Sequence, residues 1–494
     1  MRIGLVFAPY NHKKFEENIT IVDDEFGVFP PVNLAYAAAI MEKAGHEVIL
    51  IDGNARNLST EQIITELEQF RPDLLGAYFS TYMFHQTLDV MRAAKQRLQV
   101  PVMAGGINLL LYPEESLTHQ TIDYGVVGSG QKNVPMLLSR LENGESVDDV
   151  PGLAYRADGK VVINEPPVED VPFDDYPFPA RHLLPNELYY SFISQLKNFT
   201  VMMTQLGCPY KCRFCAIARI PYRYRSPENV FEETKLCLEK FGVREIDFFD
   251  ADFNIRRKRV LEIIELWRRA GLKFEWSCRS RVDNLDDELV REMAASGCRQ
   301  VYLGIETADE EAIHKMKKGI NSTQTQQAIT LCKKYDIKPL GFFMVGNPGE
   351  TEASIKRTVK YARKLGLDFA QFSRTIPKPR TEMDVDLIEK TGYDYWKQWV
   401  LGNEVERRIP NPWTTLSEEQ IEKLTKKAYY SFYFRPTMVL RHVARVRSFS
   451  ELIRFVKVGL QMLVSWFYDD TQGVEKHPET KQSAPNTEYR TTID

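Results

Sequence analysis

Long apolar runs are absent from this 494-residue sequence. A helix that crosses a bilayer needs about 20 consecutive, mainly apolar residues, and no segment approaches that length. The opening residues, MRIGLVFAPYNHKK, contain an apolar stretch shorter than the hydrophobic region of a signal peptide, and no small-residue cleavage pattern follows it. We therefore expect neither a transmembrane anchor nor a secretory leader, and the expected compartment is the cytosol.

An excess of positive charge is also absent. Lys and Arg number 64 against 68 Asp and Glu, for a net charge of -4, whereas nucleic-acid-binding domains are commonly basic. The 27 Gly and 26 Pro are dispersed and form no low-complexity block. We expect no nucleic-acid partner. We also expect two or three domains, because a single hydrophobic core stops growing at about 300 residues.

Cysteine is scarce and unevenly placed. The seven cysteines are an odd number, which does not suit a disulfide framework. Cys208, Cys212 and Cys215 lie together in the segment LGCPYKCRFCAI. Thiolates with this C-x3-C-x2-C spacing can each bind one iron of a cubane cluster and leave the fourth iron free to chelate an incoming ligand. The alternative, a structural zinc ion, needs a fourth ligand that the neighbouring sequence does not offer. The remaining cysteines are interpreted as small core residues: Cys237, Cys278, Cys298 and Cys332.

Short apolar segments alternate with helical periodicity over residues 1–145. The predicted strands are residues 2–7, 47–51, 74–78, 100–103 and 124–127. The predicted helices are residues 33–44, 60–70, 84–98 and 132–142. This alternation predicts a doubly wound, Rossmann-like parallel sheet that binds ligands at the carboxyl ends of its strands. Gly105, Gly106 and Gly128 lie at such ends. Residues 146–195 are rich in Pro and acidic residues, and they predict a hairpin at 152–163 followed by an extended linker.

A second alternating series covers residues 196–380. Its predicted strands are residues 199–205, 245–250, 274–278, 300–305, 339–345 and 368–374. Its predicted helices are residues 227–241, 257–270, 286–296, 310–317, 322–335 and 352–364. Six strand and helix units are two short of a complete eight-fold barrel, so we expect a partial (β/α)6 barrel with an open side.

The C-terminal region, residues 381–468, is predicted to be helical, with amphipathic helices at 416–434 and 449–466. Between and within them, basic residues alternate with aliphatic ones, and these are Arg435, Arg441, Arg445, Arg447, Arg454 and Lys457. One interpretation is a packed helical cap that closes the barrel. The other is a peripheral contact with an anionic membrane, as expected for an enzyme that acts on a lipid-like molecule. The polar tail, residues 469–494, is expected to be disordered.

The cysteine segment, with Phe214 before the third cysteine, and the six-unit layout around it resemble the radical S-adenosylmethionine (SAM) superfamily. The resemblance implies that the three cysteines bind a [4Fe–4S] cluster and that SAM binds its open iron. Reductive cleavage of SAM then releases methionine and a 5′-deoxyadenosyl radical. The electron for the cluster is supplied by a donor such as flavodoxin or ferredoxin.

Further segments match the superfamily at the carboxyl ends of successive strands: FFDADF, RSRVD, GIETAD and VGNPGET. The resemblance implies a set of SAM contacts at the barrel mouth, namely Phe214, Asp250, Asp252, Arg281, Glu306 and Gly346. For each polar residue of this set, the competing interpretation is a helix cap or a surface ion pair.

The first domain resembles the cobalamin-binding domain that precedes many radical SAM domains. The matching features are residues 29–34, residues 44–52, Ser80 and the AGGIN segment at 104–108. The Asp-x-His-x-x-Gly signature is absent, because Gly53 and Asn54 follow Asp52, so no histidine of this loop is expected to bind cobalt. The implied cobalamin contacts are Asn54, Ser80, Gly105, Gly106 and Gly128. The alternative is a corrinoid-free domain used for substrate docking or dimerisation.

Three functions follow as hypotheses. With cobalamin, the resemblance implies methylation of an unactivated carbon of a small, hydrophobic or lipid-like substrate. A radical cyclase or rearrangement catalyst, as in anaerobic porphyrin cyclases, shares the same architecture. The third hypothesis, from another class, is a non-catalytic iron–sulfur sensor or scaffold. No residue of the chain is assigned as the catalytic group in any of them.

Overall fold

The chain is built around two sheets of mainly parallel strands. The computed structural model describes residues 1–10, 27–166, 171–191, 196, 198–405 and 409–438. The strands of the first half are β1 (Arg2–Phe7), β2 (Gly27–Val28), β3 (Glu47–Asp52), β4 (Leu74–Tyr78), β5 (Val102–Gly105), β6 (Tyr124–Val126), β7 (Leu153–Ala157), β8 (Lys160–Ile163) and β9 (Tyr190–Ser191). The helices between them are α1 (Val32–Lys43), α2 (Thr60–Phe70), α3 (Phe84–Leu98), α4 (Ile107–Leu111), α5 (Pro113–Leu117) and α6 (Asn133–Asn143).

The first sheet has the strand order β3-β1-β4-β5-β6-β7-β8. The pairs from β3 through β6 are parallel, and their order is the doubly wound arrangement with a switch point between β1 and β4. This confirms the predicted Rossmann-like sheet. The predicted hairpin is also present as β7 and β8, but it extends this sheet by antiparallel pairing of β7 with β6.

One strand of the first sheet begins later than predicted. β5 begins at Val102, whereas the prediction began at residue 100. Pro101 has no N–H to donate to the strand ladder, although its carbonyl oxygen accepts a hydrogen bond from the N–H of Leu75. The short helices α4 and α5, which follow β5, were not predicted.

The second sheet is the predicted partial barrel. Its strands are β10 (Phe199–Met202), β13 (Glu245–Phe248), β14 (Glu275–Ser280), β15 (Cys298–Glu306), β16 (Lys338–Val345) and β17 (Phe369–Arg374). Two short strands, β11 (Gln205–Leu206) and β12 (Arg223–Tyr224), pair with each other outside it. The helices are α7 (Pro227–Phe241), α8 (Arg257–Arg269), α9 (Asp287–Ala295), α10 (Glu310–Lys315), α11 (Ser322–Lys334) and α12 (Glu352–Leu365). All five neighbouring strand pairs are parallel and in chain order, and the sheet stays open between β10 and β17.

The first barrel strand is shorter than the predicted range of 199–205. β10 ends at Met202 because the backbone N–H groups of Thr204 and Gln205 donate to the carboxylate of Asp250. The chain therefore leaves the parallel ladder there. β13 likewise ends before Asp250, which the prediction had placed inside the strand.

Both faces of the first sheet are buried by parts of the chain that lie far away in sequence. On the face covered by α1, the core includes Phe199 and Val201 of β10. On the other face, Leu387, Trp396 and Val400 pack against α3 and the strands. Leu387 lies in α13 (Glu382–Thr391), and Trp396 and Val400 lie in α14 (Tyr395–Leu401). The sequence analysis did not predict these two as separate helices. Residues 1–435 consequently form one compact unit.

The predicted helix at 416–434 is present as α15 (Glu418–Tyr433). It begins at a capping box in which Ser417 and Gln420 satisfy each other's backbone N–H groups. The predicted helix at 449–466 and the predicted tail at 469–494 lie outside the described residues. Within the described ranges, no helix combines the length and the apolar character needed to cross a membrane.

Candidate functional site

The three clustered cysteines lie on the loop that connects β11 to β12, outside the barrel sheet. Gly207 starts this cysteine loop with a φ of +69°, and a Cβ at that position would lie 2.2 Å from the carbonyl oxygen of Ile220 and 2.5 Å from that of Pro221. An L side chain would therefore meet both backbone strain and a steric clash. The antiparallel pairing of β11 with β12 closes the base of the loop.

Cys208, Cys212 and Cys215 are all partly exposed and free of disulfides, whereas the other four cysteines are buried. Burial raises the pKa of Cys212, and the positive charges of Lys318 and Arg281 act against that rise. A thiol set of this kind, next to two cations, has the donor chemistry that an anionic iron–sulfur cluster requires. In the part of the chain that the structure describes, no group of three or more His, Cys, Asp or Glu side chains is arranged around a single metal ion.

One wall beside the cysteine loop is built on Arg281, which follows β14. Its guanidinium lies 3.9 Å from the centre of the Tyr210 ring and donates to the carbonyl oxygen of Lys318 at 2.8 Å. Asp283 accepts from two nitrogens of the same guanidinium, which holds it in one orientation. Asn284 donates to the hydroxyl oxygen of Tyr210 at 2.9 Å. The predicted residue Arg281 therefore contacts the cysteine loop directly.

A second wall is built on Glu306, the last residue of β15. Its carboxylate pairs with Lys318 at 2.8 Å, and both side chains are less than one tenth exposed. Burial alone would lower the pKa of Lys318, but the Glu306 carboxylate and Cys212 together outweigh burial and raise it. Lys318 also lies 5.8 Å from the centre of the Phe214 ring, so Phe214 and Glu306 meet through this lysine.

The backbone at Glu306 is strained. Its φ is +67°, in the left-handed region that residues with a Cβ rarely adopt. A register shift between Gly304 and Glu306 in the pairing with β16 accompanies this conformation. Strain of this kind persists only where the surrounding structure enforces it, and it is common at binding sites.

The two aspartates of FFDADF have different environments. Asp250 is fully buried and accepts hydrogen bonds from the N–H and hydroxyl of Thr204 and from the N–H and side-chain amide of Gln205. Its carboxylate therefore anchors the chain just before the cysteine loop. Asp252 instead accepts from Asn284 at 2.6 Å, and burial raises its pKa to about 6. Through Asn284 it is joined to Tyr210, so Asp252 is the aspartate linked to the loop.

Gly346 contacts its own loop and the C-terminal segment. Its N–H donates to Glu350 at 3.0 Å, and its carbonyl oxygen accepts from Asn411 at 2.6 Å. A Cβ at Gly346 would lie 3.0 Å from Ile421 of α15. The glycine turn thus seats α15 and the segment before it, and a role for Gly346 in binding SAM stays a prediction.

A second candidate edge lies at the carboxyl ends of the first sheet. Gly105 ends β5 with no atom within 4 Å of its Cβ position, so the backbone is open to close approach by a ligand. Gly106 and Gly128 have φ values of +108° and +112°. The hydroxyl oxygen of Thr81 is buried without a hydrogen-bond partner among the described residues. The open backbone at Gly105 and the unsatisfied hydroxyl of Thr81 lie at the carboxyl ends of neighbouring strands and fit a large polar ligand such as the nucleotide tail of cobalamin.

Asn54 and Ser80 already serve the loops that carry them. The side-chain oxygen of Asn54 accepts from the N–H of Tyr10 at 3.1 Å, and the hydroxyl of Ser80 accepts from the N–H of Met83 at 3.2 Å. They lie at the carboxyl ends of β3 and β4, next to the switch point. Their contacts with cobalamin stay predictions.

The two candidate edges are joined by direct contacts. Phe29, in the connection that follows β1, lies 6.1 Å from Phe249, which follows β13. The backbone N–H of Met383 in α13 donates to the carbonyl oxygen of Arg213 in the cysteine loop. Trp399 in α14 donates to the carbonyl oxygen of Thr81 at 2.9 Å. Residues 382–402 therefore run from the cysteine loop to the carboxyl edge of the first sheet.

Sequence reasoning missed three residues of this site. Tyr210 lies between the first two cysteines of the loop, and Asn284 lies three residues after Arg281. Both are therefore close in sequence to residues that were predicted to belong to the site. Lys318 carried no signal, because it follows α10 in the chain and reaches Glu306 only through the packing of the barrel loops.

Two family models match the chain. The model described as the radical SAM superfamily matches residues 202–362, which include all three loop cysteines. The model described as the B12-binding domain matches residues 20–138, which include the glycine edge of the first sheet.

Known relatives cover most of the chain. An uncharacterized methyltransferase of Pyrococcus horikoshii is 32% identical over 456 residues, which are 89% of this chain and 94% of the relative. The anaerobic magnesium-protoporphyrin IX monomethyl ester cyclase of Rubrivivax gelatinosus is 28% identical over 377 residues, 74% of this chain and 67% of the relative. Among solved structures, the radical SAM methyltransferase TsrM from Kitasatospora setae, with cobalamin and a [4Fe–4S] cluster bound, has the same fold at 21% identity. Its TM-score is 0.62, over 79% of this chain and 78% of that one.

Proposed function

The chain belongs to the radical SAM superfamily, in the branch that carries a cobalamin-binding domain, and on that premise we propose that it methylates an unactivated carbon of a hydrophobic substrate. Its cofactors are a [4Fe–4S] cluster, SAM and cobalamin. When bound, the reduced cluster supplies the electron that cleaves SAM, and cobalamin carries the methyl group. The contact of Phe29 with Phe249 supports the proposal most directly, because it joins the two edges at which we propose that the cofactors bind.

In this proposal, Cys208, Cys212 and Cys215 hold the cluster. Arg281 and Lys318 place positive charge near Cys212, which favours the thiolate form of that cysteine. Phe214, Asp252, Arg281 and Glu306 form the wall against which SAM is held. Asp250 acts through the backbone that it anchors and is a positioning residue.

The first domain, residues 1–145, is proposed to present cobalamin at Gly105, Gly106 and Gly128. Gly53 and Asn54 follow Asp52, so this loop offers no histidine to the cobalt. We expect purified protein to take up cobalamin with no histidine on its lower face. A spectrum that shows histidine coordination, or no uptake of cobalamin, would contradict this assignment.

A hydrophobic substrate is supported by Phe249. Its side chain is 47% exposed at the carboxyl end of β13, which is unusual for a phenylalanine between two packed domains. The guanidinium of Arg279 covers one side of its ring at 3.9 Å and is held there by Asp247. The exposed aromatic surface is suited to an apolar or aromatic molecule. A lipid-like substrate is the finer form of this proposal.

The test is anaerobic reconstitution of the full chain with iron, sulfide, cobalamin and methyl-labelled SAM, reduced with dithionite. We expect 5′-deoxyadenosine and transfer of the label to cobalamin. Cys212→Ala should abolish 5′-deoxyadenosine, whereas Cys237→Ala, which changes a buried cysteine outside the loop, should not. A fully loaded, reduced cluster that yields no 5′-deoxyadenosine would favour the sensor or scaffold hypothesis.

A radical cyclase is the second candidate, and the similarity to the Rubrivivax gelatinosus cyclase favours it. A cyclase has no need to methylate its cobalamin. Formation of 5′-deoxyadenosine without any label on bound cobalamin would therefore select the cyclase over the methyltransferase. For either reaction, we expect a cytosolic electron donor of the flavodoxin or ferredoxin type.

A further inference from the structure

A groove of about 540 Å³ lies between α12 and α15. Ile355, Val359, Leu424 and Ala428 supply its apolar lining. Six cationic residues also line it, and these are Lys356, Lys360, Arg363, Lys364, Lys427 and Arg435. None of these residues belongs to the candidate functional site, so the basic groove is a separate feature.

Among the described residues that line the basic groove, none is Asp or Glu. Lys356 pairs with Glu352 one turn away on α12. Arg363 donates to the hydroxyl of Ser431, which carries no charge. Since the whole chain has a net charge of -4, this concentration of cations is local.

We propose that the basic groove docks the protein on an anionic phospholipid surface. The cations at the groove suit phosphate headgroups, and the apolar side chains between them suit the upper part of an acyl chain. An acidic protein would match the charges but would have less use for an apolar lining. The sequence after Arg435 continues to alternate Arg and Lys with aliphatic residues, which is the pattern of a helix that lies on a membrane surface.

The experiment measures co-sedimentation of the full chain with vesicles of phosphatidylcholine alone, or of phosphatidylcholine with an equal amount of phosphatidylglycerol. We expect binding to the mixed vesicles only, and weaker binding as salt is added. The double variant Lys360→Gln/Lys427→Gln removes one cation from each helix. Its partition coefficient should fall about 25-fold, at roughly five-fold for each lysine.

The matched control is Lys160→Gln/Lys258→Gln, which makes the same change in net charge at two exposed lysines away from the groove. Its partition coefficient should stay within about two-fold of the unmodified protein, since charges beyond a Debye length are screened. An equal loss in both double variants would overturn the groove assignment, as would no binding of the unmodified protein to the mixed vesicles. A third result would also overturn the assignment: the groove variant still binds the mixed vesicles but no longer binds poly-glutamate. The groove would then bind an acidic protein and not a membrane.

Discussion

Glu233 joins two buried arginines at the contact between the first sheet and the barrel. One carboxylate oxygen lies 2.9 Å from Arg181 of the linker, and the other bonds Arg225, which follows β12. All three side chains are at most 2% exposed. The hydroxyl of Tyr36 in α1 is also buried, which raises its pKa, and the charges of all three groups influence that pKa, so the cluster reaches across both domains. We expect this carboxylate to be essential for docking the first sheet on the barrel.

The substitution Glu233→Gln keeps the size of the side chain and removes its charge. Two guanidinium groups are then left buried without their shared counter-charge. Removing one partner of a buried ion pair costs about 3–5 kcal/mol, and here two arginines depend on one carboxylate, so we expect a loss of about 5 kcal/mol. The carbonyl oxygen of Val201 still accepts from Arg181 at 2.7 Å, which limits the damage. A typical domain is stable by only about 5–15 kcal/mol.

The assay is urea unfolding of the cluster-free protein at neutral pH, followed by circular dichroism. Glu239→Gln is the control, because Glu239 is exposed on the same helix and its loss should change the stability by less than about 0.5 kcal/mol. Equal unfolding midpoints for the two variants would refute the reasoning, since an uncompensated buried charge must be costly if the arginines are as buried as the structure has them.

Three further outcomes are expected. Gly207→Ala should prevent cluster uptake because of its clash with the loop backbone, whereas Gly159→Ala, also at a positive φ but with open space at the Cβ position, should leave iron content unchanged. Glu306→Gln should lower the urea midpoint of the cluster-free protein by the equivalent of about 3 kcal/mol, because Lys318 is left buried without its partner, and an unchanged midpoint would contradict this pairing. Burial lowers the pKa of His85 below its ordinary 6.5, so the unfolded chain takes up the proton first and the stability of the fold should decrease as the pH drops below 6.5. His85→Gln should make the dependence of stability on pH less steep in that range. An equally steep dependence in the variant would contradict this role of His85.

The alternating patterns predicted both sheets because parallel strands and their helices are local in sequence. A strand buried on both faces must be apolar throughout, and the helix after it must carry one apolar stripe, so each unit can be read within about 30 residues. The ends of elements were less predictable. β10 stopped early because Asp250, a distant residue in the chain, takes the N–H groups of Thr204 and Gln205, and no local pattern reports such a contact.

The helices α13 and α14 show the same limit on a larger scale. Their sequence predicted a helical region, but it did not predict that Trp396 and Val400 would complete the core of the first sheet. An apolar stripe indicates that a helix is buried, but it does not indicate which part of the protein packs against that stripe. The packing partner of α13 and α14 was therefore decided by the tertiary structure, and both interpretations of the basic segment after Arg435 stay predictions.

The cysteine motif was recognised from the sequence alone, because the spacing of Cys208, Cys212 and Cys215 along one short loop predicts an iron–sulfur site. The composition of the surrounding site was decided by the tertiary structure. Lys318 and Tyr210 meet Glu306 and Arg281 only because separate barrel loops converge at the same mouth. Local spacing specifies groups that are close along the chain, whereas the charges and rings that surround them depend on how parallel strands bring distant loops to one edge.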